Sequence, residues 1–72
     1  MWIYQTSKGI IRIFFNGQNY SLFVFDDVYG FYPSPIAAAD DVYTFTTGNY
    51  NWDSLEGIIE PPESIDEWVR IK

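Results

Sequence analysis

The chain has 72 residues, contains neither Cys nor His, and carries ten acidic and four basic residues, which gives a formal net charge of −6 at pH 7. Without thiolates or imidazoles, it has no disulfide framework and no Cys or His metal site. Aromatic residues make up 21% of the sequence, so we expect large rings to build most of the core of a single small domain, 1–72.

Three runs of β-forming residues within 1–25 predict an antiparallel meander. The runs are WIYQ, IIRIFF and YSLFVF, and they are separated by TSKG and NGQN. Asn-Gly between apolar runs is a strong hairpin signal. A loop at 16–19 places Phe15 opposite Tyr20, and this pairing sets the register of the whole meander.

The predicted register divides the side chains between two faces. The first face has no charge and needs a cover: Trp2, Tyr4, Ile11, Ile13, Phe15, Tyr20, Leu22 and Val24. The second is mixed in character: Met1, Ile3, Gln5, Ile10, Arg12, Phe14, Ser21, Phe23 and Phe25. Whether the second face is open or covered by the tail is not decided by the sequence.

A helix is predicted for 35–47, after Asp26-Asp27 interrupts the third strand and Tyr29-Gly30 turns the chain. Ser34 is a good N-cap, because its hydroxyl can accept an unpaired amide hydrogen of the first turn. Proline is well tolerated at the first helical position, and Gly48 is a suitable C-cap. The apolar residues of the segment fall on one half of the helix, which predicts that it packs on the uncharged sheet face.

The segment 49–72 is predicted to be a tail that docks on the domain. Asp53 and Ser64 each begin a pattern typical of a short capped turn. Trp68 and Ile71 are expected to dock the tail, with the mixed sheet face as the candidate position. The predicted fold is therefore α+β: a three-stranded antiparallel meander packed on one C-terminal amphipathic helix, with a docked aromatic tail.

The junction before the helix resembles the plant ethylene-response-factor type of DNA-binding domain. The matching residues are Gly30, Tyr32, Ser34, Ala38, Ala39 and Val42. This resemblance implies a three-stranded sheet packed on one helix. That family reads DNA with arginines and tryptophans of its open sheet face. This chain offers only Lys8 and Arg12 there and has a net negative charge, so the DNA-binding activity is not carried over.

The whole chain also resembles a set of short bacterial proteins of unknown role. Their shared features are an N-terminal Trp-x-Tyr, a Tyr-x-Ser-Pro helix start, a Thr-Gly stop, Trp-Asp and a C-terminal Glu-Trp. The matching residues are Trp2, Tyr4, Tyr32, Ser34, Pro35, Ala38, Ala39, Asp41, Val42, Tyr43, Thr47, Gly48, Trp52, Asp53, Glu67 and Trp68. This resemblance implies no activity.

No catalytic, cofactor or metal residues are predicted, and we expect that the protein is not an enzyme. A nucleophile needs a neighbouring base, and the sequence offers no such pair. The doublets Asp26-Asp27 and Asp40-Asp41 are predicted to be solvated, because adjacent residues diverge on a strand or a helix. NYNWD, at 49–53, alternates Asn and Asp but lacks the Gly and bidentate Glu of a calcium loop.

The preferred function is a small acidic protein-interaction module or inhibitor. Its candidate surface consists of aromatic residues rimmed by acids, together with one arginine: Arg12, Phe14, Phe23, Phe25, Tyr50 and Trp52. The alternative is a nucleic-acid-related protein, either a sheet-face DNA or RNA binder or an acidic mimic of DNA. The acidic charge favours a basic protein partner over nucleic acid.

A cytoplasmic monomer or weak homodimer is expected. The first residues lack the basic start of a signal peptide, and no apolar stretch is long enough to span a bilayer, so no membrane partner is predicted.

Overall fold

The computed structural model describes residues 1–71 and has an α+β fold, in which a helix covers one face of a five-stranded antiparallel sheet. Lys72, the last residue of the predicted tail, lies outside the described residues. The elements are β1 Trp2–Thr6, β2 Gly9–Phe15, β3 Tyr20–Val24, β4 Asp27–Tyr32, α1 Pro35–Tyr43, α2 Tyr50–Asp53, a 3-10 turn Ile65–Glu67, and β5 Val69–Arg70. The strand order across the sheet is β4-β3-β2-β1-β5.

The predicted meander is confirmed in position and register. Phe15 pairs with Tyr20, and Trp2 pairs with Ile13. The loop between β2 and β3 is held by Asn16, whose side-chain oxygen accepts hydrogen bonds from the amides of Gln18 and Asn19, both at 3.0 Å. This arrangement is an Asx-type turn, in which a side chain replaces a missing backbone partner.

The sheet continues beyond the predicted three strands, because residues 27–32 form a fourth strand rather than a turn. Val24 pairs with Asp27 across a two-residue turn, and Phe25 in this turn has a φ of +60°. Tyr29 is the extra residue of a bulge, since Leu22 pairs with Gly30 and Phe23 with Val28. The two aspartates therefore mark the hairpin turn and do not end the sheet.

The tail supplies the fifth strand at the other edge. Trp2 pairs with Arg70 and Ile3 with Val69. The Arg70 guanidinium lies 5.1 Å from the centre of the Trp2 ring, within the range of a cation–π contact. The predicted tail thus joins the sheet as well as the core.

The start of the helix is as predicted, and its end is four residues earlier. The Ser34 hydroxyl accepts a hydrogen bond from the Ala37 amide at 3.1 Å, and Pro35 is the first helical residue. The helix ends at Tyr43 instead of residue 47, because Phe45 adopts a φ of +57°, which an α-helix cannot continue through. Gly48, the predicted cap, lies in the loop before α2.

The core lies between α1 and the predicted uncharged sheet face, which we call the covered face. Ala38, Ala39 and Val42 of α1 are buried against it. The core cluster consists of Ile11, Ile13, Leu22, Val24, Ala38, Ala39, Val42, Phe45, Trp52 and Trp68. The small side chains of Ala38 and Ala39 let the helix approach the sheet closely.

The position of the tail corrects the predicted docking site. Trp68 is only 6% exposed and contacts Tyr4 on the covered face, with ring centroids 5.6 Å apart. Leu55, Ile59 and Ile65 also pack against the core cluster. The tail therefore completes the layer that contains α1, and Ile71 remains 44% exposed.

Candidate interaction surface

The second sheet face, which we call the open face, is left without a covering layer by residues 1–71. It is defined by Ile3, Gln5, Ile10, Arg12, Phe14, Ser21, Phe23, Val28, Phe31 and Val69. None of them belongs to the core cluster or to the apolar residues packed against it. The large apolar residues of the tail are already used on the covered face or remain exposed.

One continuous row of the open face crosses all five strands. Val69 pairs with Ile3, Ile3 with Arg12, and Arg12 with Phe23. Phe23 in turn pairs with Val28 on β4. Residues paired across an antiparallel sheet point to the same side, so a single cation lies within an otherwise apolar row.

The aromatic residues of the open face lie beside this row. Phe14 and Phe23 have ring centroids 5.2 Å apart and an interplanar angle of 30°, and both are half-buried. Phe31 is 65% exposed. The register therefore brings together Phe14 and Phe23, which were predicted as candidate contact residues, and the exposed ring of Phe31 lies nearby on β4.

Arg12 is partly buried among these side chains. It makes no ion pair or side-chain hydrogen bond with residues 1–71. The ten acids all lie at positions 26–67, and except for Asp26 and Asp27 they belong to α1, α2 and the tail, which pack on the covered face. The acidic rim expected around Phe14 and Phe23 is therefore limited to Asp26 and Asp27, because the other acids belong to segments that pack on the covered face.

Phe25 is not part of the open face, contrary to the prediction. Its positive φ of +60° turns the side chain out of the strand alternation, and the ring packs against the core cluster. A β-carbon built on Gly9 would lie 2.7 Å from Cδ1 of Phe25. The absence of a side chain at Gly9 thus allows the ring to lie over β2.

Trp52 is also excluded from any exposed surface, since its side chain is fully buried. Its ring stacks on Phe45 with centroids 5.0 Å apart. Tyr50, in the same short helix, is 80% exposed but lies on the covered-face side of the molecule. The predicted aromatic pair in NYNWD is therefore divided between core and solvent.

Two polar residues of NYNWD, Asn49 and Asp53, have structural partners. Asp53 accepts hydrogen bonds from the amide and hydroxyl of Thr47, at 3.1 and 2.8 Å, and from the Gly48 amide at 2.9 Å. Asn49 caps α2 by accepting from the Trp52 amide at 3.1 Å. These contacts give Asn49 and Asp53 structural roles in the loop and in the cap of α2.

Five apolar members of the open face were missing from the predicted surface: Ile3, Ile10, Val28, Phe31 and Val69. Ile3 and Ile10 were placed on the correct face but were not selected as contacts. Val28 and Phe31 were missed because 27–32 was interpreted as a turn. The signal that could have identified this strand is its content of β-branched and aromatic residues, DVYGFY.

Within residues 1–71, no group of three or more acidic side chains is arranged to hold a metal ion. No helix of the described chain is long and apolar enough to cross a membrane.

Comparisons of this chain with protein-family models, curated proteins and solved structures find no match. The function must therefore be inferred from the geometry and chemistry of the surface.

Proposed function

We propose that this protein is a small interaction module that binds a partner protein through the open face of its sheet. The observation that supports this most strongly is the continuous row across all five strands, which is apolar except for Arg12 and which no segment of residues 1–71 covers. Antiparallel sheets commonly leave one face to solvent, but that face is then mostly polar. Here it contains three phenylalanines and a single charge.

The size of the open face favours a small occupant. Four strand spacings and the seven residues of β2 give a footprint of roughly 400 Å². This is in the range of functional apolar patches on monomers, about 300–600 Å². It is smaller than the roughly 800 Å² that one partner contributes to a stable interface. One amphipathic helix, about 10–12 Å wide, matches this footprint better than a whole domain.

The single positive charge of the open face, on Arg12, determines which charged residue the partner helix must carry. Arg12 lies among apolar side chains, where an unpaired cation is costly to bury further. A partner that covers it must therefore supply a carboxylate, and an arginine pairs well with one in a bidentate manner. The occupant we propose is an amphipathic helix of another protein, with an apolar stripe that contains one Asp or Glu.

A second copy of this chain is a poorer occupant. The acids of the chain lie almost entirely on the covered-face side, so an identical face would bring Arg12 against another apolar surface and no carboxylate. The open face also lacks the acids that would attract a basic partner, so the basic partner suggested by the net charge belongs elsewhere on the molecule.

The test uses a synthetic amphipathic peptide of about 14 residues, long enough as a helix to cross the sheet, with a leucine stripe and one central glutamate. Binding is followed by backbone amide chemical shifts. We expect the shifts to concentrate on β1–β4 at the open-face positions. The variant Phe23→Ser should weaken binding about tenfold, as expected for an aromatic anchor, while Tyr50→Ser, at an exposed ring on the other side, should not.

The role of Arg12 is tested with charge swaps. Arg12→Gln should weaken binding of the glutamate peptide and leave binding of the matching glutamine peptide unchanged, with Lys8→Gln as the control for net charge. Shifts on α1 or on residues 49–68, or equal effects of the Phe23 and Tyr50 variants, would contradict the proposal. Self-association that depends on Phe23 would instead assign the face to a second copy.

The nucleic-acid alternative is separated by a salt titration. Direct binding of single-stranded DNA or RNA to the open face should weaken steeply as salt increases, and Arg12→Gln should reduce that slope. If the protein binds single-stranded DNA or RNA in this salt-dependent way and does not bind the helical peptide, the nucleic-acid function replaces the proposed one.

A further inference from the structure

The second surface feature of the molecule is a groove on the covered-face side, where the end of α1 meets the loop before the two prolines. Its volume is about 770 Å³, within the range of about 300–1,000 Å³ usual for ligand sites. The residues that define it here are Tyr43, Phe45, Glu56, Ile58, Glu60 and Glu63. We call it the acidic groove.

The inner part of the acidic groove is apolar. Phe45 is nearly buried, and Ile59 packs against the core cluster beneath the groove. Ile58, on the outer side, is 78% exposed, and Tyr43 is 44% exposed. Ile58 and Tyr43 thus leave apolar surface in the groove that no other part of residues 1–71 covers.

The rim has one sign of charge. Glu56, Glu60 and Glu63 all line the groove, and none of their carboxylates has a hydrogen-bond or ion-pair partner among the described residues. No basic residue occurs between positions 26 and 69. The groove is therefore complementary in charge to a cation and repels acidic segments.

The end of α1 adds to the same field. Tyr43 and Thr44, the last helical residue and its cap, line the groove, so the negative end of the helix dipole lies beside it. The last turn of α1 contains no basic residue, so no cation of the helix itself offsets this end of the dipole. The exposed Tyr43 ring can also contact a cation through its face.

We propose that the acidic groove binds a basic peptide segment of a partner protein, in which Lys or Arg side chains alternate with apolar ones. The cationic side chains contact Glu60 and Glu63 and the end of α1, and an apolar side chain packs between Ile58 and Tyr43. This site lies on the opposite side of the sheet from the open face and does not depend on the proposed function of that face.

The probe is a short synthetic peptide of alternating leucine and arginine, titrated into the full chain and followed by amide chemical shifts. We expect saturable binding with shifts at 43–45 and 56–63. The double variant Glu60→Gln, Glu63→Gln should weaken binding about fivefold, the size expected for two partly solvated ion pairs. A leucine and glutamine peptide should bind more weakly than the arginine peptide.

The control keeps the net charge of the double variant and removes acids far from the groove: Asp26→Asn, Asp27→Asn. If both double variants weaken binding equally, the attraction comes from the overall charge and the proposed site is wrong. Ile58→Ser should also weaken binding, because the apolar contact is lost at an exposed position where folding is little affected. No change in this variant would show that only charge is recognised and would overturn the alternating motif.

Phe23→Ser distinguishes this site from the open face. It should leave binding of the arginine peptide unchanged, while Glu60→Gln, Glu63→Gln should leave binding of the helical glutamate peptide unweakened. If the arginine peptide shifts the amides of the open face instead of those of the groove, the assignment of the basic segment to the groove is wrong.

Discussion

The indole Nε1 of Trp52 donates a hydrogen bond to the backbone carbonyl of Val42, 3.1 Å away. This contact links α2 to the last turn of α1 inside the core. Trp68 presents the opposite case, since its buried Nε1 has no partner among residues 1–71. The two buried tryptophans therefore differ in one polar contact while both contribute large apolar surfaces.

This difference predicts unequal effects of the same substitution. Trp52→Phe loses ring volume and a buried hydrogen bond, whereas Trp68→Phe loses ring volume but removes an unpaired donor. Since an unpaired buried polar group costs about 1–3 kcal/mol, we expect Trp52→Phe to reduce the free energy of unfolding more, by about 1–2 kcal/mol. Urea unfolding followed by circular dichroism measures both, and an equal loss would contradict the prediction.

Asp53 is predicted to stabilise the loop between α1 and α2. In Asp53→Asn, the amide nitrogen replaces one of two oxygens that accept from Thr47 and Gly48, so at least one donor is left facing a donor. We expect a loss of about 1–3 kcal/mol in the free energy of unfolding. Asp26→Asn, at an exposed turn, makes the same charge change and should have little effect on the midpoint of urea unfolding.

Tyr32 is predicted to make stability depend on alkaline pH. Its hydroxyl donates to Oδ2 of Asp41 at 2.7 Å, and burial, this hydrogen bond and the charge of Asp41 raise the pKa of Tyr32 above its ordinary value. A group with a raised folded-state pKa stabilises the fold fully below its unfolded pKa, about 10 for tyrosine, and this contribution is lost as pH rises above that value.

The measurement compares wild type with Tyr32→Phe by urea unfolding between neutral and alkaline pH. At neutral pH the variant should be less stable by about 1 kcal/mol, the usual contribution of one hydrogen bond. The difference should shrink as pH rises above about 10. A difference that stays constant with pH, or the same trend in the exposed control Tyr50→Phe, would show that the contact with Asp41 does not cause it.

Gly9 is predicted to be intolerant of a side chain. Its φ is +149°, and an added β-carbon would lie 2.7 Å from the Phe25 ring, whereas the same atom on Gly17, with a φ of +101°, meets nothing within 4 Å. Both alanine variants introduce backbone strain, but only Gly9→Ala also overpacks. We expect it to cost about 1–3 kcal/mol more than Gly17→Ala in thermal or urea unfolding.

A second substitution checks the cause. Phe25→Ala removes the ring that the new β-carbon would strike, so Gly9→Ala should be less harmful in that background than in wild type. If the two changes add without coupling, the close approach of Gly9 and Phe25 is not the reason for the loss.

Several features of the site follow from local sequence alone. Asn16-Gly17 positions the first hairpin, and strand alternation then places Phe14 and Phe23 together on one face with Arg12. The helix start follows in the same way, because Ser34 and Pro35 act on their own first turn. In each case the determining contacts lie within a few residues of one another.

Other features depend on contacts between distant segments. The sequence 27–32 contains Gly30 and begins with an aspartate, which are poor strand residues, and it becomes a strand because β3 offers it an edge to pair with. Phe25 leaves its expected face because its left-handed backbone turns its ring into the core. Phe45 is buried, as expected for the apolar side of the helix, but it reaches the core from a left-handed position beyond the end of α1. The local sequence predicts that the strand continues through Phe25 and the helix through Phe45. It does not predict the left-handed backbone at either residue.

The sequence by itself therefore determined the meander, its register and the beginning of the covering helix, because turn and capping residues act locally. Only the tertiary structure decided that Trp68 and the other tail residues complete the covered face and leave the open face bare. The physical reason is competition for burial, because both faces are apolar enough to attract the tail. On the covered face the aromatic rings of the tail can pack against both the sheet and α1, whereas on the open face they could pack against the sheet alone.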